Sequence, residues 1–205
     1  LQEKFQTAGI EVKNSNLGQL PETTWFHYPS DYLGDIVHSL NVRSDNLYAE
    51  SVLRLLSLSD HEKGSAEKGI DIIRKYWQNY EADSLELFMY DGSGLARNNK
   101  VSAKYLNCVL KETARDSLIG EYFVQTLPLA GKEGSVATII KHGELPGELR
   151  LKSGSMSDVH AYAGYYTTPQ NRYAIVVMIN NYTCTRAQLK QKISTLLTQV
   201  LSKKE

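Results

Sequence analysis

The sequence carries no excess charge. Its 205 residues include 23 basic and 23 acidic side chains, for a formal net charge of zero. Nucleic-acid binding asks for a basic surface, and this balance gives no sign of one. Long hydrophobic runs are also missing. The longest is YAIVVMI, Tyr173 to Ile179, far short of the roughly 20 residues a membrane helix needs. No transmembrane segment is expected, and a short run rich in β-branched residues reads as a buried strand. Cysteine is scarce. Cys108 and Cys184 fit no metal or CxxC spacing, and whether they pair or stay free is open. The simpler reading is two small buried apolar side chains. The five histidines, at 27, 38, 61, 142 and 160, form no HExxH or HxH pair. Neither a metal nor another cofactor is expected. Repeats, low-complexity tracts and long linkers are absent. The opening LQEKFQTAGI has no initiator Met and no apolar signal core, so it reads as a piece excised from a longer precursor, or as a processed chain.

What is present is ordinary for a globular protein: 41% apolar and 22% charged residues. The length suffices for one large domain or two small ones. QEKFQTAG reads as a helix end closed by Gly9, and IEVK and TTWFHY read as strands. Ser30 or Asp31 is placed to cap a helix through DYLGDIVHSL. A strong helical stretch, LYAESVLRLLSL, follows RSDN. LELFMY reads as a strand stopped by DGSG. Helices are expected over VSAKYLNCVLKETA and SLIGEYFVQTL. After a glycine-rich loop and a short helix, GELRLKSG, HAYAGYYTT and RYAIVVMIN read as three strands. Their short spacing favours antiparallel hairpins. Thr185 to Gln188 fits a capping box for a last helix running to about Leu201. The expected class is α+β. One partial domain is expected over 1–205, mainly helical over 30–128 and sheet with a closing helix over 129–205.

Residues 64–69, GSAEKG, hold a literal Ser65-x-x-Lys68, the spacing by which one class of acyl-transfer enzymes arms a serine. Wound at about 100° per residue, Ala66, Ile70, Ile73, Trp77 and Tyr80 form an apolar stripe. Lys68 falls on the opposite arc with Asp71, Lys75 and Asn79. A lysine base needs burial or a cationic neighbour to be neutral near pH 7. Beside Glu67 and Asp71, Lys68 has neither. Ser65 is therefore expected to be a plain helix N-cap.

Two other stretches suit chemistry better. Ser44-Asp45-Asn46 opens a helix, and Lys152-Ser153-Gly154-Ser155 ends a strand. Enzymes with a Ser-x-x-Lys nucleophile also use a Ser-x-Asn element and a Lys-[Ser/Thr]-Gly strand. A substrate carboxylate asks for a cation and a hydroxyl on a rigid support, which Lys152 and Ser153 supply. Gly154 lets a substrate backbone come close. An opposing polar side chain can relay a proton or hold an amide. The bland reading is that Ser, Asp and Asn are favoured helix caps and that short motifs arise by chance.

RSDNLYAE, YDGSGLARNN, LPLAGKEGS and LKSGSM, in that order, resemble the C-terminal half of the penicillin-binding D-alanyl-D-alanine carboxypeptidases of peptidase family S13. The resemblance runs from about Gly9 to Leu201. It implies the serine β-lactamase/DD-transpeptidase-like fold, a periplasmic setting, and a peptidoglycan stem peptide or a β-lactam as ligand. It would make Ser44 the proton-relay serine and Asn46 the partner of the substrate amide. Lys152 would give positive potential and help proton transfer. Ser153, in place of the more usual Thr, would bind the carboxylate. The Ser155 N–H would be half of an oxyanion hole. Residues 91–98 and 129–135 would shape the cleft.

One departure is large. In the family the nucleophilic Ser-x-x-Lys lies well upstream of Ser-x-Asn, whereas here GSAEKG follows it. The nucleophile is therefore expected to be absent from this chain, and the chain alone inactive. The alternative is a non-catalytic module that binds cell-wall peptides. A fragment of this kind is also expected to expose sheet edge and apolar surface, and so to self-associate.

Overall fold

The computed structural model describes residues 29–59, 63–80 and 86–203, together with Thr7 and Gly9. Residues 31–205 cluster as one compact unit and residues 1–30 as another. Thr7 is helical and Gly9 has φ +72°, the left-handed geometry that suits a glycine just past a helix end. The expected strands IEVK and TTWFHY lie outside the described residues.

Helix α1 spans Leu33–Arg43, α2 Asn46–Leu55 and α3 Ala66–Trp77. Tyr32, not Ser30 or Asp31, is the N-cap of α1, and no side chain caps that end. The backbone itself closes the turn, with the Asp35 N–H donating to Tyr32 O at 2.9 Å. Asp45 caps α2, accepting from the Tyr48 N–H at 3.0 Å. Ser65 caps α3. Gly69 of α3 is buried against the Leu53 carbonyl; an added Cβ would lie 2.2 Å from that oxygen, so glycine sets how closely α2 and α3 approach.

The expected strand LELFMY shrinks to β1, Leu87–Phe88, paired antiparallel with β2, Lys100–Val101. Met89 and Tyr90 lead instead into the turn after it. Helix α4, Ala103–Arg115, is capped by Ser102. The helix expected over SLIGEYFVQTL is shorter: α5, Gly120–Thr126. Asp116 is the reason, because its carboxylate accepts the Leu118 and Ile119 N–H groups and holds them in a turn.

The three expected strands form one antiparallel sheet in the order β3 (Glu148–Met156), β4 (Val159–Thr167), β5 (Arg172–Asn180). Period-two alternation divides its faces. Leu149, Leu151, Tyr162, Tyr166 and Ile175 face the last helix, α6 (Arg186–Leu201). There they pack with Val136, Ile139, Leu189, Ile193 and Leu197. Each such side chain contributes about 1.5–3 kcal/mol by leaving water. On the other face Tyr165 and Val176 meet Leu110, Val124 and Leu127, at the end of the helical part. The Tyr165 hydroxyl donates to the Leu110 carbonyl at 2.7 Å, and burial pushes its pKa above the usual phenol range. Thr185 and Gln188 make the expected capping box on α6. Cys108 and Cys184 form no disulfide among the described residues, and both are half-buried rather than fully buried. Among the described residues no helix is long and apolar enough to cross a membrane.

Candidate active site

The sheet's helical face and the α1–α2 junction enclose a cleft of about 810 Å³. The junction is unusual in its backbone. Ser44 has φ 55° and ψ 49°, a left-handed conformation that closes α1, and its N–H donates to Leu40 O. A non-glycine residue held there costs on the order of 1 kcal/mol. The next residue, Asp45, already begins α2. The chain thus reverses at Ser44 and presents its hydroxyl at the cleft mouth, with Asn46 one residue into α2.

Opposite lies the end of β3. Lys152 Nζ donates to Ser44 Oγ at 2.7 Å and to Ser153 O at 2.9 Å. The two motifs, far apart in the chain, are therefore in contact. Lys152 is half-buried, and burial holds its ammonium below the usual lysine range. Among the described residues it has no carboxylate partner. Ser44 Oγ, accepting from Lys152, keeps its own proton free to donate. Ser153 Oγ lies 2.5 Å from Ser135 Oγ, which ties β3 to the 128–136 loop.

The outer edge of β3 is half covered. The Leu151 N–H donates to Pro128 O, and Leu149 O accepts from the Ala130 N–H. In an antiparallel sheet alternate residues point their N–H and C=O to the same edge. Those two bonds therefore place the backbone groups of Ser153 and Ser155 on that edge too, beyond the stretch that Pro128 to Ala130 covers. At Gly154 an added Cβ would meet nothing within 4 Å; the space beside it is cleft.

The third wall is the loop after β1. Asp91 accepts from the Gly94 N–H (2.8 Å), the Ala96 N–H (2.6 Å) and Asn99 Nδ2 (2.8 Å). Glu50 of α2 accepts from the Gly92 and Ser93 N–H groups at 3.1 and 3.0 Å. Gly92 sits so close to α2 that a Cβ would lie 2.6 Å from Ala49 O. Two carboxylates thus fix the loop, and with it Arg97, in the cleft wall. Gly134, at φ +52°, similarly seats the 128–136 loop on α1, where a Cβ would lie 2.4 Å from Val42 O.

All six residues singled out in the sequence, Ser44, Asn46, Lys152, Ser153, Gly154 and Ser155, line this cleft. Ser65 and Lys68 do not. Ser65 Oγ accepts from the Lys68 backbone N–H at 3.2 Å, and its own backbone is tied to Ser57. Lys68 is exposed. Sequence reasoning missed Ser135, Glu50 and Arg97 as individual residues. Glu50 had a signal: it stands four residues after Asn46, on the same side of α2.

The model of the D-Ala-D-Ala carboxypeptidase 3 (S13) family matches residues 1–203. The D-alanyl-D-alanine carboxypeptidase DacB of Haemophilus influenzae is 27% identical over 206 residues, covering 96% of this chain and 42% of that protein. The crystal structure of penicillin binding protein 4 of H. influenzae, complexed with a β-lactam, superposes with a TM-score of 0.72 at 24% identity, over 98% of this chain and 49% of that one. An extended-spectrum β-lactamase shares the fold at a TM-score of 0.58 and 17% identity, over 82% of this chain and 64% of that one. The chain spans less than half the length of the Haemophilus protein in both comparisons. The fold is α+β, of the serine β-lactamase/DD-transpeptidase-like type. On the match across residues 1–203, the chain belongs to the D-Ala-D-Ala carboxypeptidase 3 (S13) family.

Proposed function

We propose that residues 1–205 are the substrate-binding half of a serine-type D-Ala-D-Ala carboxypeptidase or endopeptidase acting on peptidoglycan stem peptides in the periplasm. The observation that carries this reading is the 2.7 Å contact between Lys152 Nζ and Ser44 Oγ across a cleft bounded by a free strand edge.

The chemistry follows from that contact. A peptide ending in D-Ala-D-Ala lies along β3, where the missing side chain at Gly154 lets its backbone approach. Its terminal carboxylate meets Lys152, a half-buried cation with no carboxylate partner among the described residues, and the Ser153 hydroxyl. At an effective dielectric of about 20, a pair about 4 Å apart gains about 4 kcal/mol before desolvation costs. Asn46 holds the substrate amide. The Ser155 N–H stabilises the oxyanion as the scissile carbonyl becomes tetrahedral. Ser44 then hands its proton to the leaving D-Ala nitrogen and takes one from Lys152, so one proton enters the relay and one leaves. The attacking serine and its lysine come from outside these 205 residues, because Ser65 and Lys68 serve as a helix cap and a surface residue. The β-lactam bound to the Haemophilus protein supports a cleft that accepts such ligands.

Labelled penicillin and mass spectrometry test the reading. The 205-residue chain is expected to take no covalent label. A form extended by the residues encoded before Leu1 is expected to be labelled on a serine upstream of Leu1. A label on Ser65 would overturn the assignment. An extended form with neither a Ser-x-x-Lys nor a label would favour the non-catalytic binding module.

A further inference from the structure

Beneath the end of β3 the exposed Ser155 hydroxyl leads to two buried side chains, His160 and Tyr162, that the cleft chemistry does not use. His160 is 2% exposed and pairs directly with Ser155 across the β3–β4 hairpin. Its Nδ1 lies 3.1 Å from Ser155 Oγ and its Nε2 2.9 Å from the Tyr162 hydroxyl. Tyr162 is 0% exposed, and its ring meets the imidazole edge-on at 4.9 Å. On the β5 side the partner is Ile179, which cannot hydrogen-bond. From α6 the imidazole feels Lys190 and Arg186, both cationic. The three polar side chains therefore satisfy one another.

The protonation state decides whether they can. A neutral imidazole has one donor and one acceptor, and each hydroxyl can donate and accept. The chain closes when the Tyr162 hydroxyl donates to Nε2 and Nδ1–H donates to Ser155 Oγ, which leaves the exposed serine's own proton to solvent. An imidazolium has two donors and no acceptor. Both hydroxyls must then accept, and the buried Tyr162 proton loses its partner, which is costly in so dry a place.

We propose that His160 is a positioning residue for the cleft: in its neutral form it clamps the Ser155 side chain to Tyr162 and so holds the end of β3 where the Ser155 N–H faces a bound carbonyl. The need is local. Pro128 to Ala130 brace the β3 backbone only as far as Leu151, Ser135 holds Ser153 through its hydroxyl, and beyond Ser153 the strand is braced by β4. Ser155 is the last but one residue of the strand, where fraying begins. This inference rests on the substrate-binding reading above.

The test uses the ¹⁵N-labelled 205-residue chain and a peptide ending in D-Ala-D-Ala. Between about pH 5 and 8 the His160 ring nitrogens and the Ser155 amide are expected to titrate with one shared midpoint. Tyr162→Phe is expected to move that midpoint. His160→Phe is expected to abolish the Ser155 titration and to speed amide exchange at Gly154 and Met156, whose N–H groups face β4, about tenfold, leaving α4 unchanged. At neutral pH it should weaken peptide binding several-fold, with His160→Gln giving partial rescue. A Ser155 amide indifferent both to pH and to His160→Phe overturns the proposal. Should His160→Phe fail to fold, the wild-type titration and Tyr162→Phe decide. Should the wild-type chain bind no peptide while Ser155 still titrates with His160, the clamp stands and the substrate reading falls.

Discussion

Two single residues carry strain or burial that folding alone would not select. Ser44 occupies the left-handed region, where glycine is the comfortable choice. Lys152 keeps an ammonium half-buried whose partners among the described residues are a hydroxyl and a carbonyl. Burial lowers its pKa, so the folded protein holds this proton less tightly than the unfolded chain does. The unfolded state binds more protons once the pH falls below the ordinary lysine value of 10.5. The resulting loss of stability is complete below the folded pKa. Lys152→Met is therefore expected to raise the melting temperature by about 2–4 °C, equivalent to about 1 kcal/mol. It should also abolish binding of carboxylate-ended peptides. Calorimetry checks the first outcome; a melting point lowered by as much would show that the lysine braces the fold instead.

Among the elements, β3 has two characters along one strand. Its first half alternates buried Leu149 and Leu151 with Arg150, and its outer edge is covered. Its second half, Ser153 to Ser155, exchanges apolar side chains for small polar ones and leaves the edge open. Gly154 marks that change. In a strand interior glycine costs about 0.5–1 kcal/mol relative to alanine, and no neighbour forbids a Cβ there. Gly154→Ala is expected to keep or slightly raise the melting temperature while weakening peptide binding at least tenfold, as seen by titration. Unchanged binding would mean that the substrate does not lie on this edge.

The large elements were legible in the sequence for definite reasons. RYAIVVMIN and its neighbours are dense in β-branched and aromatic residues, with turn material between them. Ser65 and Thr185 announced their helices by capping chemistry. The short pieces were not legible. β1 is two residues long and owes its existence to pairing with β2 rather than to any pattern of its own. α5 is cut short by the Asp116 turn. The shared register of Ser155 and His160 was in principle readable from the two-residue turn between Met156 and Val159. It needed the hairpin's centre to be known first.

At the scale of the whole molecule the net charge is zero, so no long-range field steers a ligand. Attraction must come from local charge at the cleft, chiefly Lys152 with Arg97 and Lys100 on the wall. A half-buried charge is poorly screened, so salt should change affinity only modestly. No helical or strand periodicity relates Ser44 to Lys152, 108 residues apart. What linked them beforehand was the order of four short motifs and their resemblance to one family. The fold explains that order. The α1–α2 junction lies early in the helical part, β3 opens the three-stranded sheet, and the 128–136 loop and Arg150 lock the two together, with Arg150 donating to Leu127 O at 2.9 Å. The cleft is what lies between.

The most direct measurement is a titration of the ¹⁵N-labelled chain with a peptide ending in D-Ala-D-Ala, against the same peptide with an amidated C-terminus. The free-acid peptide is expected to shift the amides of Ser44, Asn46 and Ser153 to Ser155, leaving α3 untouched, and the amidated one to bind at least tenfold more weakly. Equal binding of both peptides, or shifts centred on Ser65, would contradict the account.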